Sequence, residues 1–238
     1  MLYVTGDVHG EYRWSKKCLP NVDNLTEKDI LFICGDFGHI FHGNKLEESH
    51  LNGMEKYKFT IAFVDGNHEN FDLLYQYPEE IWYNGCIHRI RKNVVHLCRG
   101  QVFEIDGKRI FTMGGGYSID KALRKEGVSW WTQEMPTEQE YDEAEANLRK
   151  VDFKVDYILT HTAPEETMSI FHPFHQEESR LNFFLEWVRE NTEYRHWYFG
   201  HLHRDEDLWR KQTVLWFDVR NIQTNESVFV EEQVERYF

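Results

Sequence analysis

Short apolar runs, most of them followed by a glycine and a polar cluster, recur along this chain and alternate with stretches of helical periodicity. Leu2–Thr5, Ile30–Cys34, Phe59–Val64, Val155–Thr160 and Trp197–Phe199 are brief and rich in β-branched or aromatic residues, which predicts strands. Lys45–Lys56 is mainly polar and of helical length. Thr137–Val151 opens on Thr137-Glu138-Gln139-Glu140, a capping-box pattern that starts a helix. Glu178–Asn191 sets Leu181, Phe184, Leu185 and Val188 at helical spacing, which predicts one buried face. Val102–Ile105 and Arg109–Met113 flank Asp106-Gly107, the signature of a hairpin with a two-residue turn. Val214–Val219 and Val228–Val230 read as a second antiparallel pair. With no Pro/Ser-rich linker, repeat or low-complexity tract, the pattern predicts one α/β domain over residues 1–238, helices packed around mixed sheets.

Composition changes this picture in three ways. At 238 residues and 41% hydrophobic content the chain can bury a large core, and the 16% of aromatic residues, eight Trp among them, read as packing rather than as a base-stacking platform. Formal net charge is −14, from 27 Lys plus Arg against 41 Asp plus Glu, which argues against tight non-specific nucleic-acid binding. The four cysteines (Cys18, Cys34, Cys86, Cys98) form no CxxC pair and no regular spacing, and Cys34 inside an apolar run reads as a buried thiol. No window approaches the ~18 consecutive apolar residues of a membrane span. The run that begins at Leu2 has no signal-type flank, so a reducing cytoplasm is the expected setting.

The chemistry lies where the apolar runs stop. In order the chain reads Gly6-Asp7-Val8-His9-Gly10, Gly35-Asp36, Gly66-Asn67-His68-Glu69, Thr160-His161 and Gly200-His201-Leu202-His203. Carboxylate, imidazole and amide oxygen suit first-row divalent metals, and seven such groups on five strand ends suffice for two ions. Asp7 with His9, and His201 with His203, stand two residues apart, so extended backbone would point each pair the same way. Asp36 has two oxygens and can bridge two cations. Each motif alone is weak, and a lone His161 before Pro164 would ordinarily be structural.

Taken together and in this order, the motifs resemble those of the calcineurin-like metallophosphoesterase superfamily, from Asp7 to His203. The resemblance implies a sandwich of two mixed β-sheets flanked by helices, with ligands on loops at strand ends. It implies one metal held by Asp7, His9, Asp36 and His203, and a second held by Asp36, Asn67, His161 and His201. His68 would stand near the leaving group. Mn is the first expectation for both ions, with Fe or Zn suiting the same ligands. Two ions roughly 3.5–4 Å apart can hold a bridging water as hydroxide near neutral pH. Two Asp carboxylates and one hydroxide then leave a formal charge of about +1, which favours a phosphate ester attacked in line. A protonated His68 would assist the departing alkoxide, a role worth roughly 10²–10⁴-fold. Glu69 is either a partner that orients a histidine or a surface carboxylate.

The departures narrow the substrate. Protein phosphatases of this superfamily follow Gly-Asp with a segment ending in Asp-Arg-Gly, whereas this chain reads Gly35-Asp36-Phe37-Gly38-His39-Ile40-Phe41. The phosphate-clamping arginine is absent from that place, which points away from phosphoproteins. Gly114-Gly115-Gly116-Tyr117-Ser118-Ile119-Asp120-Lys121-Ala122-Leu123-Arg124 is similar to a segment of small bacterial and phage metallophosphoesterases. There Arg124, with Lys121, would either hold phosphate or end a solvated turn. His39, His42, His172 and His175 are expected on the surface or the pocket rim. The expectation is a hydrolase for a small phosphorylated substrate (phosphodiester, nucleotide or phosphomonoester), with no membrane. A silent scaffold of the same fold and a nuclease are the alternatives.

Overall fold

The computed structural model describes residues 1–11, 19, 22–171 and 179–228. Cys18, His172, His175, Glu178 and Phe229–Val230 lie outside the described residues.

One sheet contains β1 (Leu2–Thr5), β2 (Ile30–Ile33), β3 (Thr60–Phe63), β4 (Glu79–Trp82), β5 (Gly85–Arg91), β6 (Val94–Leu97) and β13 (Val219–Asn221), in the order β13-β1-β2-β3-β6-β5-β4. The other contains β7 (Gln101–Ile105), β8 (Lys108–Met113), β9 (Tyr157–Thr160), β10 (His196–Phe199), β11 (Glu206–Leu208) and β12 (Gln212–Val214), in the order β11-β12-β10-β9-β8-β7. β1, β2, β3 and β6 run parallel, as do β8, β9, β10 and β12. Parallel strands are covered on both faces, which is why β1, β2 and β9 are buried at every position. The helices are α1 (Lys45–Met54), α2 (Phe71–Leu74), α3 (Glu138–Lys150), α4 (Glu165–Phe171) and α5 (Ser179–Asn191).

Three apolar layers result. Val4, Phe32, Ile87 and Val95 of the first sheet meet Phe103, Ile110, Leu159 and Tyr198 of the second. Leu51 and Met54 of α1 and Phe71 and Leu74 of α2 cover the outer face of the first sheet. Tyr141 and Leu148 of α3 and Leu181, Phe184, Leu185 and Val188 of α5 cover the second. At the start of α3 both halves of the capping box are present, Thr137 and Glu140 each accepting from the other's backbone amide. Asp106 and Gly107 both have positive φ (50° and 70°), as the predicted two-residue turn requires. Among the described residues no helix is long and apolar enough to cross a membrane.

The C-terminal pairing differs from the pattern reading. Val214–Val219 is not one strand. Val214 ends β12 in one sheet and Val219 begins β13 in the other. Between them, the Asp205 carboxylate accepts from the amides of Trp216, Phe217 and Asp218 at 2.7, 3.1 and 2.9 Å and turns the chain across. The antiparallel contact with the last described residues survives as Val228 N donating to Val219 O (2.7 Å).

Candidate metal centre

Five parallel strands end at one edge of the sandwich and release the predicted ligands there. Asp7 follows β1, Asp36 follows β2, Asn67 and His68 follow β3, His161 follows β9, and His201 and His203 follow β10. The backbone at this edge is not extended. His9 (φ 49°), Asp36 (45°), His201 (66°) and His203 (49°) all occupy the left-handed region, which ordinary residues avoid. The convergence of Asp7 with His9 and of His201 with His203 thus comes from tight left-handed turns and not from strand pleating, which corrects the extended-chain argument. Glycine makes room for the ligands: a Cβ on Gly35 would enter the His161 ring, and one on Gly200 would strike the Asp7 carboxylate.

Two groups of ligand atoms form. In the first, His9 Nε2 and His203 Nε2 face each other at 2.9 Å, and His203 Nε2 lies 3.1 Å from Asp7 Oδ2. His9 Nε2 is 3.8 Å from both Asp7 Oδ2 and Asp36 Oδ2. In the second, His161 Nε2 is 3.0 Å from Asn67 Oδ1, 3.2 Å from His201 Nδ1 and 3.5 Å from Asp36 Oδ1. Asp36 therefore presents one oxygen to each group. The structure brings all seven predicted ligands together.

The hydrogen-bond pattern around these atoms fits divalent cations. His161 Nδ1 donates to Cys34 O (2.9 Å), which leaves Nε2 to the site, and Asn67 Nδ2 donates to Ser118 Oγ (3.2 Å), which aims its oxygen inward. Several lone pairs then point at one space. Asp7 Oδ1 accepts from the His201 amide (2.9 Å), while the fully buried Oδ2 has no aligned hydrogen-bond donor, only the ion-pair approaches of His203 and His9 Nε2. A buried carboxylate oxygen without a donor is costly unless a cation meets it.

The electrostatics agree. Burial alone would raise the Asp36 carboxyl, but the imidazoles of His161, His68 and His9 and the His68 amide (2.8 Å) hold it below the usual carboxylate range. Burial opposes charge on His161, yet Asp36 and Asp7 outweigh it and raise its affinity for a proton. The same negative field would draw a metal.

His68 is half-buried beside this centre, its ring 5.4 Å from that of His9. Arg124 reaches it: Nη1 lies 3.0 Å from His68 Nδ1 and Nη2 lies 3.4 Å from Nε2, while Nε pairs with Asp120 at 2.8 Å. Burial lowers the proton affinity of His68, Asp36 raises it and Arg124 lowers it again. Lys121 is turned onto aromatic faces, 4.4 Å from the Tyr117 ring centroid and 5.4 Å from that of Trp130. Among the described residues Glu69 hydrogen-bonds to no histidine. Its Oε1 accepts from the Phe37 amide (2.7 Å), bracing the turn after Asp36, and burial followed by the nearby Asp36 charge raises its carboxyl well above the ordinary range.

Of the expected rim histidines, His42 is exposed, whereas His39 is buried against Phe37, with rings 4.9 Å apart. Reading along the chain missed Ser118 as the group that orients Asn67, and Trp216, which stacks on His203 at 5.1 Å and 14°. It also missed the buried pair behind the Asn67 loop, where Arg99 Nε and Nη2 meet Asp65 Oδ2 at 2.9 and 2.5 Å. The available signal was Asp65 itself: a carboxylate that directly continues a buried run needs a counter-ion.

Comparison with known proteins bears on most of the chain. It is 26% identical over 234 residues to the lariat debranching enzyme of Schizosaccharomyces pombe (strain 972 / ATCC 24843), an alignment covering 84% of this chain and 47% of that protein. The chain thus spans about half the length of that curated relative. The solved structure of a phosphopantetheinyl hydrolase from Mycobacterium tuberculosis aligns with a TM-score of 0.48 and 17% identity, over 91% of this chain and 89% of that one. The calcineurin-like phosphoesterase family model matches residues 1–205, spanning every strand end that carries a ligand, and the chain belongs to that family.

Proposed function

We propose that this chain is a dinuclear metal-dependent phosphoesterase, with a phosphodiester as its first substrate class and a nucleotide or small phosphomonoester next. The observation that carries this reading is the pair of ligand groups sharing Asp36, whose Oδ2 lies 3.8 Å from His9 Nε2 and whose Oδ1 lies 3.5 Å from His161 Nε2. Asp7, His9, Asp36 and His203 would hold one ion and Asp36, Asn67, His161 and His201 the other. Mn²⁺ is the first choice for both, with Fe or Zn as alternatives, and such ions supply Lewis acidity to phosphoryl oxygens and bring the pKa of water near neutrality.

The remaining steps belong to the chain. His68 stands at the rim and would pass a proton to the leaving oxygen. Arg124 supports the ring through its guanidinium contacts, gives Nη1 also to Ser129 O (3.1 Å), and would offer its remaining Nη2 hydrogen to an incoming phosphate. Lys121, held over Tyr117 and Trp130, adds positive charge to the same rim. Glu69 keeps the Phe37 amide, and with it the Asp36 turn, in place.

The similarity to a lariat debranching enzyme favours a nucleic-acid phosphodiester among the candidates, while the net charge of −14 favours a short or small substrate held mainly at the metals. Purified protein should be assayed against bis(4-nitrophenyl) phosphate, 4-nitrophenyl phosphate, nucleotides and branched RNA with Mn²⁺, Fe²⁺, Ni²⁺, Co²⁺ or Zn²⁺. Metal-dependent turnover that disappears in Asp36→Asn is expected. Silence on every substrate, with fewer than two metals bound, would leave the scaffold reading instead.

A further inference from the structure

A second cluster of ligand-type side chains sits away from the strand ends, on the hairpin of β5 and β6. His88 pairs with His96 and Ile87 with Leu97, and Cys98 N donates to Cys86 O at 3.1 Å, so the register continues to a Cys86–Cys98 pair. Strand alternation then puts Cys-x-His on one strand directly opposite His-x-Cys on the next, all four side chains on one face. Ile87 and Leu97 point the other way, into the layer between the sheets.

The distances are those of a coordination site. His88 Nδ1 lies 3.0 Å from His96 Nδ1, Cys98 Sγ lies 3.6 Å from His88 Nδ1, and Cys98 Sγ lies 3.2 Å from Cys86 Sγ. A tetrahedral zinc with ordinary bond lengths separates two nitrogens by roughly 3.3 Å, nitrogen and sulfur by roughly 3.6 Å and two sulfurs by roughly 3.8 Å. Ligand atoms of His88, His96 and Cys98 already lie within 4.8 Å of one another, while Cys86 stands outside that group and reaches it through Cys98 Sγ.

Each imidazole has a carboxylate behind it. His96 Nε2 faces Asp65 Oδ1 at 3.0 Å, and His88 Nε2 faces Glu79 Oε1 at 3.8 Å. The Asp65 contact makes His96 Nε2 the protonated nitrogen and turns the Nδ1 lone pair toward His88 and the sulfurs. A carboxylate behind each ligand histidine is the usual outer arrangement of a zinc site. Both histidines are buried, and burial pushes the Cys98 and Cys86 thiols up, so the pocket suits thiolates only when a cation accompanies them.

We propose that His88, His96 and Cys98, with Cys86 swinging in as the fourth ligand, form a closed zinc site separate from the centre at the strand ends. Its place in the fold makes it structural. It fastens β5 to β6 and, through His96 and Asp65, braces the segment that runs on to Asn67 and His68. Asp65 O also accepts from the Gly115 amide (3.0 Å), which ties in the start of the loop that carries Arg124.

Cobalt(II) is the probe, because thiolate-to-cobalt charge-transfer absorption arises only where cysteine sulfur ligates. Reduced wild-type protein and Asp36→Asn should both develop the band with about one equivalent of cobalt, and Cys98→Ser should lose it. No band in the reduced wild type, or a band undiminished in Cys98→Ser, overturns the site. Should Cys98→Ser fail to fold, the native zinc protein is titrated with a mercurial thiol reagent. Zinc released in step with thiol modification supports the site; modified thiols without zinc release, or a Cys86–Cys98 disulfide in protein purified under reductant, overturns it. Neither readout depends on phosphoesterase activity.

Discussion

The centre at the strand ends and the cluster on the β5–β6 hairpin both face histidine against histidine, at 2.9 Å for His9–His203 and 3.0 Å for His88–His96. Their frames differ. The first hangs from five strand ends, three of them with left-handed turns, carries oxygen and nitrogen donors, and leaves His203 exposed. The second lies on two regular strands, adds sulfur, and buries both rings. Open positions and hard ligands suit chemistry on a substrate, whereas a closed set of four with thiolates suits a permanent structural metal. Of the two sets of ligand residues, only the strand-end set includes left-handed backbone.

That contrast can be broken in order of effect. Asp36→Asn should cost about a thousandfold or more in turnover, ~4 kcal/mol of barrier, with the folding midpoint near that of wild type; retained turnover would remove Asp36 from the centre. Arg99→Met should do the reverse. It leaves the buried Asp65 carboxylate without its counter-ion, and removing one partner of a buried pair costs about 3–5 kcal/mol, read as a lowered denaturant midpoint. Brief dialysis against a chelator should abolish activity while the thiolate-bound metal stays, because His9 and His203 are exposed at the strand-end centre whereas His88 and His96 are buried in the hairpin cluster; simultaneous loss of both would merge the two sites.

Smaller effects sharpen the boundary. Arg124→Ala should raise KM or lower kcat by about tenfold, ~1.4 kcal/mol, and unchanged values of both would remove its phosphate role. Thr137→Ala should lower stability by about 1 kcal/mol without touching kcat. Its cap partner Glu140 also faces Arg99 Nη1 at 3.4 Å, so a larger loss would mean that the α3 cap contributes to the Asp65 buttress.

The strand-end centre was legible in sequence because the ligands follow apolar runs and all but His161 and His203 sit next to a glycine, so order along the chain carries the geometry. The α3 start was legible because capping is local. What escaped the pattern depended on register. The hairpin of β5 and β6 carries an irregularity between Arg89 and Arg91 that breaks its alternation. Twelve positions separate Cys86 from Cys98, and only the pairing of His88 with His96 turns that interval into a facing pair. Val214–Val219 misled for a related reason: one apolar run serves two sheets, and Asp205, nine residues before Val214, decides where it turns. The left-handed turns were invisible because Asp and His there obey the needs of a site and not their own backbone preferences.

The Asp7–His201 hydrogen bond joins residues 194 positions apart, and His203 rests on Trp216, held in turn by Asp205. Bringing such distant segments together costs loop entropy that must be recovered by packing elsewhere. The strand-end centre therefore needs both sheets and the crossing at residues 215–218 in place at once. Metal affinity there should track intact tertiary packing of both sheets and not secondary structure alone.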